Sequence, residues 1–277
     1  MDDTFAYCAA LVRMFDHDRY LASLFAPPDG RNALAALYAF NAEVARAAEI
    51  TSEPIAGEIR LQWWTEVIER QRNGEAAANP VAAALLATID RYRLATAPLL
   101  GLIGATRRRL APDGFPSIEA LETYAAQTSS ALIALAATVL GGSGEEAARP
   151  AGVAHGVTAT LTAFPRDVAR HRAAIPTELL ERHGLDPNAV LAELSSPGLR
   201  AALADLRALA RHRLAAARPL VTILSDVVLP AFLPVTLVRP TLDRLDRGDP
   251  STAAPLSSWR RQWLIWRAAR NPARITQ

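Results

Sequence analysis

Residues 31–49 read RNALAALYAFNAEVARAAE, with apolar side chains at Leu34, Leu37, Tyr38, Val44 and Ala45 or Ala48. Steps of three, four and seven between them are the period of an α-helix that buries one face. The stretch is therefore expected to be a helix packed into a core. The glycine and prolines just before it, in Pro27-Pro28-Asp29-Gly30, break any helix arriving from the N-terminal side.

The flanking segments carry the same period, and none shows the sustained alternation of a strand. A first helix is expected over about Asp3–Leu24. Ser52 reads as an N-cap ahead of Pro54, opening a helix through Trp63, Trp64 and Val67 that ends near Asn73-Gly74. Asn79-Pro80 and Thr96-Ala97-Pro98 repeat the cap-then-proline signal, for helices to about Leu94 and Leu110. Ser117 opens a long helix to Leu140, with Glu119 and Glu122 at its positive end.

A helix from about Glu145 should stop at Ala163, before Pro165, leaving residues 164–176 irregular. Short helices at Thr177–His183 and Pro187–Leu194 precede a long one over Pro197–Leu224. Prolines at 230, 234 and 240 then cut the chain into short pieces, and Ser257–Arg270 closes it. Its Trp259, Trp263 and Trp266 share one face. Core packing is the commoner use of such a stripe, and a partner or membrane-surface face is the other. The fold class is all-α.

With 51% hydrophobic residues over 277 positions the chain can bury a large core. The net charge of +2 gives no general attraction to nucleic acid. All thirty basic residues are arginine, so an anion site must use guanidinium forks, helix N-termini or a metal. One cysteine, Cys8, makes no internal disulfide and suits a reducing compartment. No signal peptide is read at the N-terminus, and no apolar run makes a clean membrane span. A cytoplasmic protein is expected, peripheral on the inner membrane if it touches one.

Several motifs in order resemble the squalene/phytoene synthases. They are Pro27-x-x-x-Arg31 with Ala36-Leu37-Tyr38-Ala39-Phe40, Ile59-Arg60-Leu61-Gln62-Trp63-Trp64, Asn79-Pro80-Val81, Tyr124-Ala125-x-x-Thr128-x-Ser130, and Arg166-Asp167 followed by Ile175-Pro176. The resemblance implies one domain over 1–277, an isoprenoid-synthase-like helical bundle around a central cavity. Tyr38, Phe40, Asn41, Tyr124, Thr128 and Thr160 are the lining it implies, around a lipid or isoprenoid ligand.

Those enzymes ionise allylic diphosphates with magnesium held by two aspartate-rich helical motifs. At the first motif this chain has Ala42 for an arginine, then Ala45, Arg46, Ala47, Ala48 and Glu49 for Asp-Asp-x-x-Asp. At the second it has Thr160, Ala163, Arg166, Asp167, Arg170 and His171, and only Asp167 keeps its acid. Asp16-His17-Asp18 stands where serines help hold the diphosphate, and its carboxylates would repel that group. Glu49 and Asp167 are the weak metal candidates that remain.

These departures resemble the non-catalytic branch of the family that serves in assembling respiratory complex I, through Asp16-x-Asp18-x-Tyr20-Leu21, Phe40-Asn41-x-Glu43 and Tyr124-Ala125-x-x-Thr128-Ser129-Ser130-Ala131-Leu132. That likeness implies complex I subunits or assembly factors as partners and no cofactor. It places the chain in a bacterial cytoplasm, or in the mitochondrial matrix for a processed form. The alternative is a prenyl-diphosphate-using transferase, with Glu43, Glu49 and Asp167 holding magnesium in an altered site. Asp167 beside Arg166 is read as a structural ion pair. His155, His171, His183 and His212 are read as solvated, and Arg107-Arg108-Arg109 as answering a helix dipole, with a phosphate or lipid-headgroup contact as the alternative.

Overall fold

The computed structural model describes residues 2–47, 54–109, 114–170, 175–186, 196–248 and 256–277. The expected N-cap at Ser52, the helix at 187–194, Glu49 and His171 lie outside them. Helices run in the order α1 (Asp2–Phe15), α2 (His17–Ser23), α3 (Pro28–Ala47), α4 (Pro54–Ile68), α5 (Asn73–Ala78), α6 (Pro80–Tyr92) and α7 (Thr96–Arg108). Then come α8 (Ile118–Ala125), α9 (Ala131–Val139), α10 (Glu145–Ala169), α11 (Thr177–Arg182), α12 (Pro197–Thr222), α13 (Leu229–Phe232), α14 (Val238–Leu245) and α15 (Ser258–Arg270). Among the described residues there is no strand.

Helix α3, the quoted stretch, runs through the middle against α1, α4, α6 and α9, and α10 lies along α12 and α8. Leu34, Leu37, Tyr38, Phe40 and Val44 of α3 are buried, and Phe40 meets Trp64 edge to face at 5.1 Å. The capping signals at Asn79 and Ser117 do what their chemistry predicts, whereas Thr96 is the first residue of α7 and Ala95 caps it with no side-chain hydrogen bond. Asn79 accepts from the Val81 and Ala82 amides at 3.0 Å, Ser117 from Ala120 at 3.1 Å, and Ser196 from Leu199 at 3.2 Å.

Four expectations are corrected. The first helix is two, because the Asp16 carboxylate takes the Arg19 amide at 3.2 Å and starts a new helix there. The helix through Trp63 stops at Ile68, and Asn73-Gly74 opens α5. The helix from Ser117 to Leu140 is interrupted by a π turn, Ala126–Ser130. Lastly, α10 continues past Pro165 to Ala169. Burial of Phe164 and Asp167 on that last stretch outweighs the proline's cost of about 3 kcal/mol.

The tryptophan stripe is also corrected. Ile265 and Ala268 face the core from α15, so Trp259, Trp263 and Trp266 on the opposite side stand 70%, 45% and 45% exposed. No helix among the described residues is long and apolar enough to cross a membrane.

Candidate functional site

Two cavities meet on α10. The smaller, about 210 Å³, takes Asn41 and Ala45 from α3, Arg109 from the end of α7, Tyr124, Thr128 and Ser129 from α8 and the π turn, and His155, Thr160, Ala163, Arg166, Asp167 and Arg170 from the region of α10. The larger, about 500 Å³, adds Asp16, Asp18, Arg261 and apolar groups such as Phe15, Leu237 and Leu256. Arg19, His155, Ala159, Ala163 and Arg166 line both. Positions 155, 159, 163 and 166 recur at three- and four-residue steps, so a single face of α10 forms the shared wall.

The π turn aims Thr128 and Ser129 at this wall. It is held tightly: a side chain on Gly152 would meet the Ser130 backbone at 2.3 Å, and one on Gly156 the Ala125 Cβ at 2.7 Å. These two glycines of α10 let the helix backbones touch. Thr128 back-bonds to the Tyr124 carbonyl at 2.8 Å, and Ser129 Oγ lies 3.3 Å from His155 Nδ1.

The charges are mostly satisfied by one another. Asp167 is 4% exposed and accepts from Arg109 at 2.5 Å, so Arg109, not Arg166, is its ion-pair partner. Asp16 pairs with Arg19 and Asp18 with Arg261, which removes much of the expected repulsion. Burial pushes the Asp18 carboxyl above its ordinary range, against the pull of Arg261. Burial opposes the Arg19 charge, but Asp16 more than offsets it and the guanidinium is held above its usual value. His155 is driven down to about 4, by burial first and Arg19 second, and stays neutral near pH 7.

Asn41, Tyr124, Thr128 and Thr160 line the small cavity, whereas Tyr38 and Phe40 line neither. Tyr38 sits in the core behind Arg19, whose guanidinium lies 5.8 Å from its ring, and Phe40 is packed on Trp64. His155 faces the cavities instead of water, and His183 bonds to Asp205 at 2.8 Å. Arg107 ties to Glu58 at 2.5 Å, so the arginine triplet does more than answer a dipole.

Arg19 escaped the sequence reading, which gives Arg109, His155 and Ser129 other roles: answering a helix dipole, a solvated ring and a motif residue. Following the α10 face one turn before Ala159 would have found His155.

Magnesium does not fit this donor set. Ala45 offers no ligand, and Arg46 stacks 3.9 Å over Phe15 and pairs with Glu43, which also takes Arg60. Arg166 and Arg170 bring charge of the ion's own sign. Among the described residues no three acidic, histidine or cysteine groups gather where they could hold a metal. The small cavity has four arginines against one aspartate.

An all-α bundle with a cavity between two facing helical motifs is the architecture of an isoprenoid synthase, here with most of its metal-binding carboxylates replaced. Residues 12–267 match the squalene/phytoene synthase family, and the chain belongs to it. It is 30% identical over 278 residues to the Rattus norvegicus protein named NADH dehydrogenase (ubiquinone) complex I, assembly factor 6, covering 94% of this chain and 84% of that one. The Bos taurus protein of the same name is 29% identical, covering 93% and 82%. The fold matches a dehydrosqualene synthase crystallised with a ligand at a TM-score of 0.80 over 96% and 95% of the two chains; at 16% identity this likeness speaks for fold alone.

Proposed function

We propose that this chain assists assembly of respiratory complex I, the NADH:quinone oxidoreductase, and does so without catalysing prenyl transfer. The observation that carries the reading is the fate of Asp167, the acid kept at the second motif, which is buried in an ion pair with Arg109. Alanine and arginine hold the neighbouring motif positions. The names of its rat and bovine relatives point the same way.

No metal cofactor belongs to this reading. Its partners are complex I subunits or other assembly factors, and its workplace is the inner face of the membrane that carries them, cytoplasmic in a bacterium and matrix in a mitochondrion. The apolar side of the larger cavity suits a lipid or isoprenoid chain.

Deleting the gene in its host tests the reading. Loss of assembled complex I on native gels, with carotenoids and hopanoids unchanged and recovery on re-expression, is the expected result. Unchanged complex I overturns it.

A second reading, a transferase using prenyl diphosphates, draws on the four arginines of the small cavity, which suit a diphosphate. Pyrophosphate release from farnesyl diphosphate with magnesium, abolished by Asp167→Ala, would decide for it.

A further inference from the structure

Away from the central cavities, a pocket of about 290 Å³ lies between α14, α15 and the C-terminal turn. Arg239, Arg260, Arg267 and Arg274 line it, with Asp243 the one carboxylate side chain among the lining residues. Asp243 is engaged by Arg211 at 3.1 Å. No ion pair to a carboxylate is formed by any of the four arginines among the described residues. Thr236 also lines the pocket, is 4% exposed, and its hydroxyl has no hydrogen-bond partner there. Four guanidiniums around one pocket, without a carboxylate partner among the described residues, suit an oxyanion, and the Thr236 hydroxyl beside them is a buried polar group left unanswered.

The pocket adjoins the tryptophan face. Arg267 both lines it and lies 4.9 Å over the Trp263 ring, while Arg270 lies 4.3 Å over Trp266. Helix α15 contains four arginines and no acidic residue. We propose that this pocket binds the phosphate of an anionic phospholipid headgroup, with Trp259, Trp263 and Trp266 seated at the bilayer interface beside it.

The size of the stripe selects this occupant. At their stated exposures the three tryptophans offer roughly 240–400 Å² of ring surface. A stable protein interface takes about 800 Å² from each partner. Interfacial adsorption has no such threshold, because rings at headgroup level and guanidiniums on phosphates act together. The inference rests on the membrane-side workplace proposed above.

The test is co-sedimentation of the whole chain with phosphatidylcholine vesicles, pure or containing about one third phosphatidylglycerol. Binding is expected only to the anionic vesicles. Arg239→Gln with Arg274→Gln, both off the tryptophan face, should weaken it about 25-fold, at roughly fivefold per charge. Trp259→Gln with Trp266→Gln should weaken it as well. Calorimetry with inorganic phosphate and with glycerol 3-phosphate separates the sources.

Vesicle binding that persists in the arginine variant refutes the pocket while leaving membrane contact standing. Phosphate binding without vesicle binding refutes the lipid source and the membrane-side reading with it. No binding of either refutes the site altogether. If the double variant does not fold, Arg260→Gln on the exposed side of α15 makes the same measurement, with about a fivefold loss expected.

Discussion

Acid should unfold this protein partly through one imidazole. His155 is held down at about 4 against an ordinary value near 6.5, because burial and the Arg19 charge both disfavour its protonated form. The unfolded chain takes up a proton as pH falls through 6.5, and the folded one resists until about 4. The contribution is therefore fully present above pH 6.5 and is lost progressively on acidification toward pH 4. At about 1.4 kcal/mol per pH unit of displacement, reduced because the ring keeps some solvent access, it amounts to about 2–3 kcal/mol.

Urea melts of the wild type and of His155→Leu, at pH 7.5 and pH 4.5, isolate it from the other titrating groups. The wild type should lose about 2–3 kcal/mol more than the variant over that interval. Parallel losses would mean that the ring is protonated freely in the folded state, and the account of a buried neutral histidine between Ser129 and Arg19 would fail.

Other perturbations have equally definite outcomes. Asp167→Asn removes the charge of the buried Arg109 pair and should cost about 2–4 kcal/mol in urea melts, whereas a loss below about 0.5 would mean the pair is solvated. Gly152→Ala drives a methyl into the Ser130 backbone and should cost about 1–3 kcal/mol or prevent folding, while Gly74→Ala, with nothing within 4 Å, should be neutral by the same thermal melt. Phe40→Ala removes a fully buried ring from Trp64 and should cost about 3–5 kcal/mol, with a change in near-ultraviolet dichroism. Titration calorimetry with magnesium should give no heat of site binding, and a stoichiometric heat abolished by Asp167→Ala would contradict the donor-set argument.

What sequence could reveal here divides along physical lines. Apolar periodicity and the capping signals at Asn79 and Ser117 located helices because both are local. Family motifs placed Asn41, Tyr124, Thr128 and Thr160, and these do reach the small cavity. Tyr38 and Phe40 misled because a motif residue can be retained for packing as readily as for lining.

The Asp167–Arg109 pair joins residues 58 positions apart and leaves no mark in local sequence. Pro165 inside α10 defied the local rule for the same reason, since tertiary burial overrode a backbone penalty. The tryptophan stripe shows the converse: spacing fixes which residues share a face, but only the neighbouring elements decide whether that face is covered.

The π turn at Ala126–Ser130 has a consequence for how this chain can tolerate change in length. A π turn holds one residue more than an α turn, and each residue of an α-helix advances the azimuth by about 100°. The wider turn absorbs that extra residue, so Tyr124 on one side and Leu132, Leu135 and Ala136 on the other keep the phase of an uninterrupted helix one residue shorter. Deleting a single residue from 126–130 would let the segment relax into α-helix with both halves still facing as they do now. Its cost would fall on the turn itself, which aims Thr128 and Ser129 at the α10 wall. A one-residue insertion within α8 or α9, with no such turn to absorb it, would swing one half by about 100° and should be far worse tolerated.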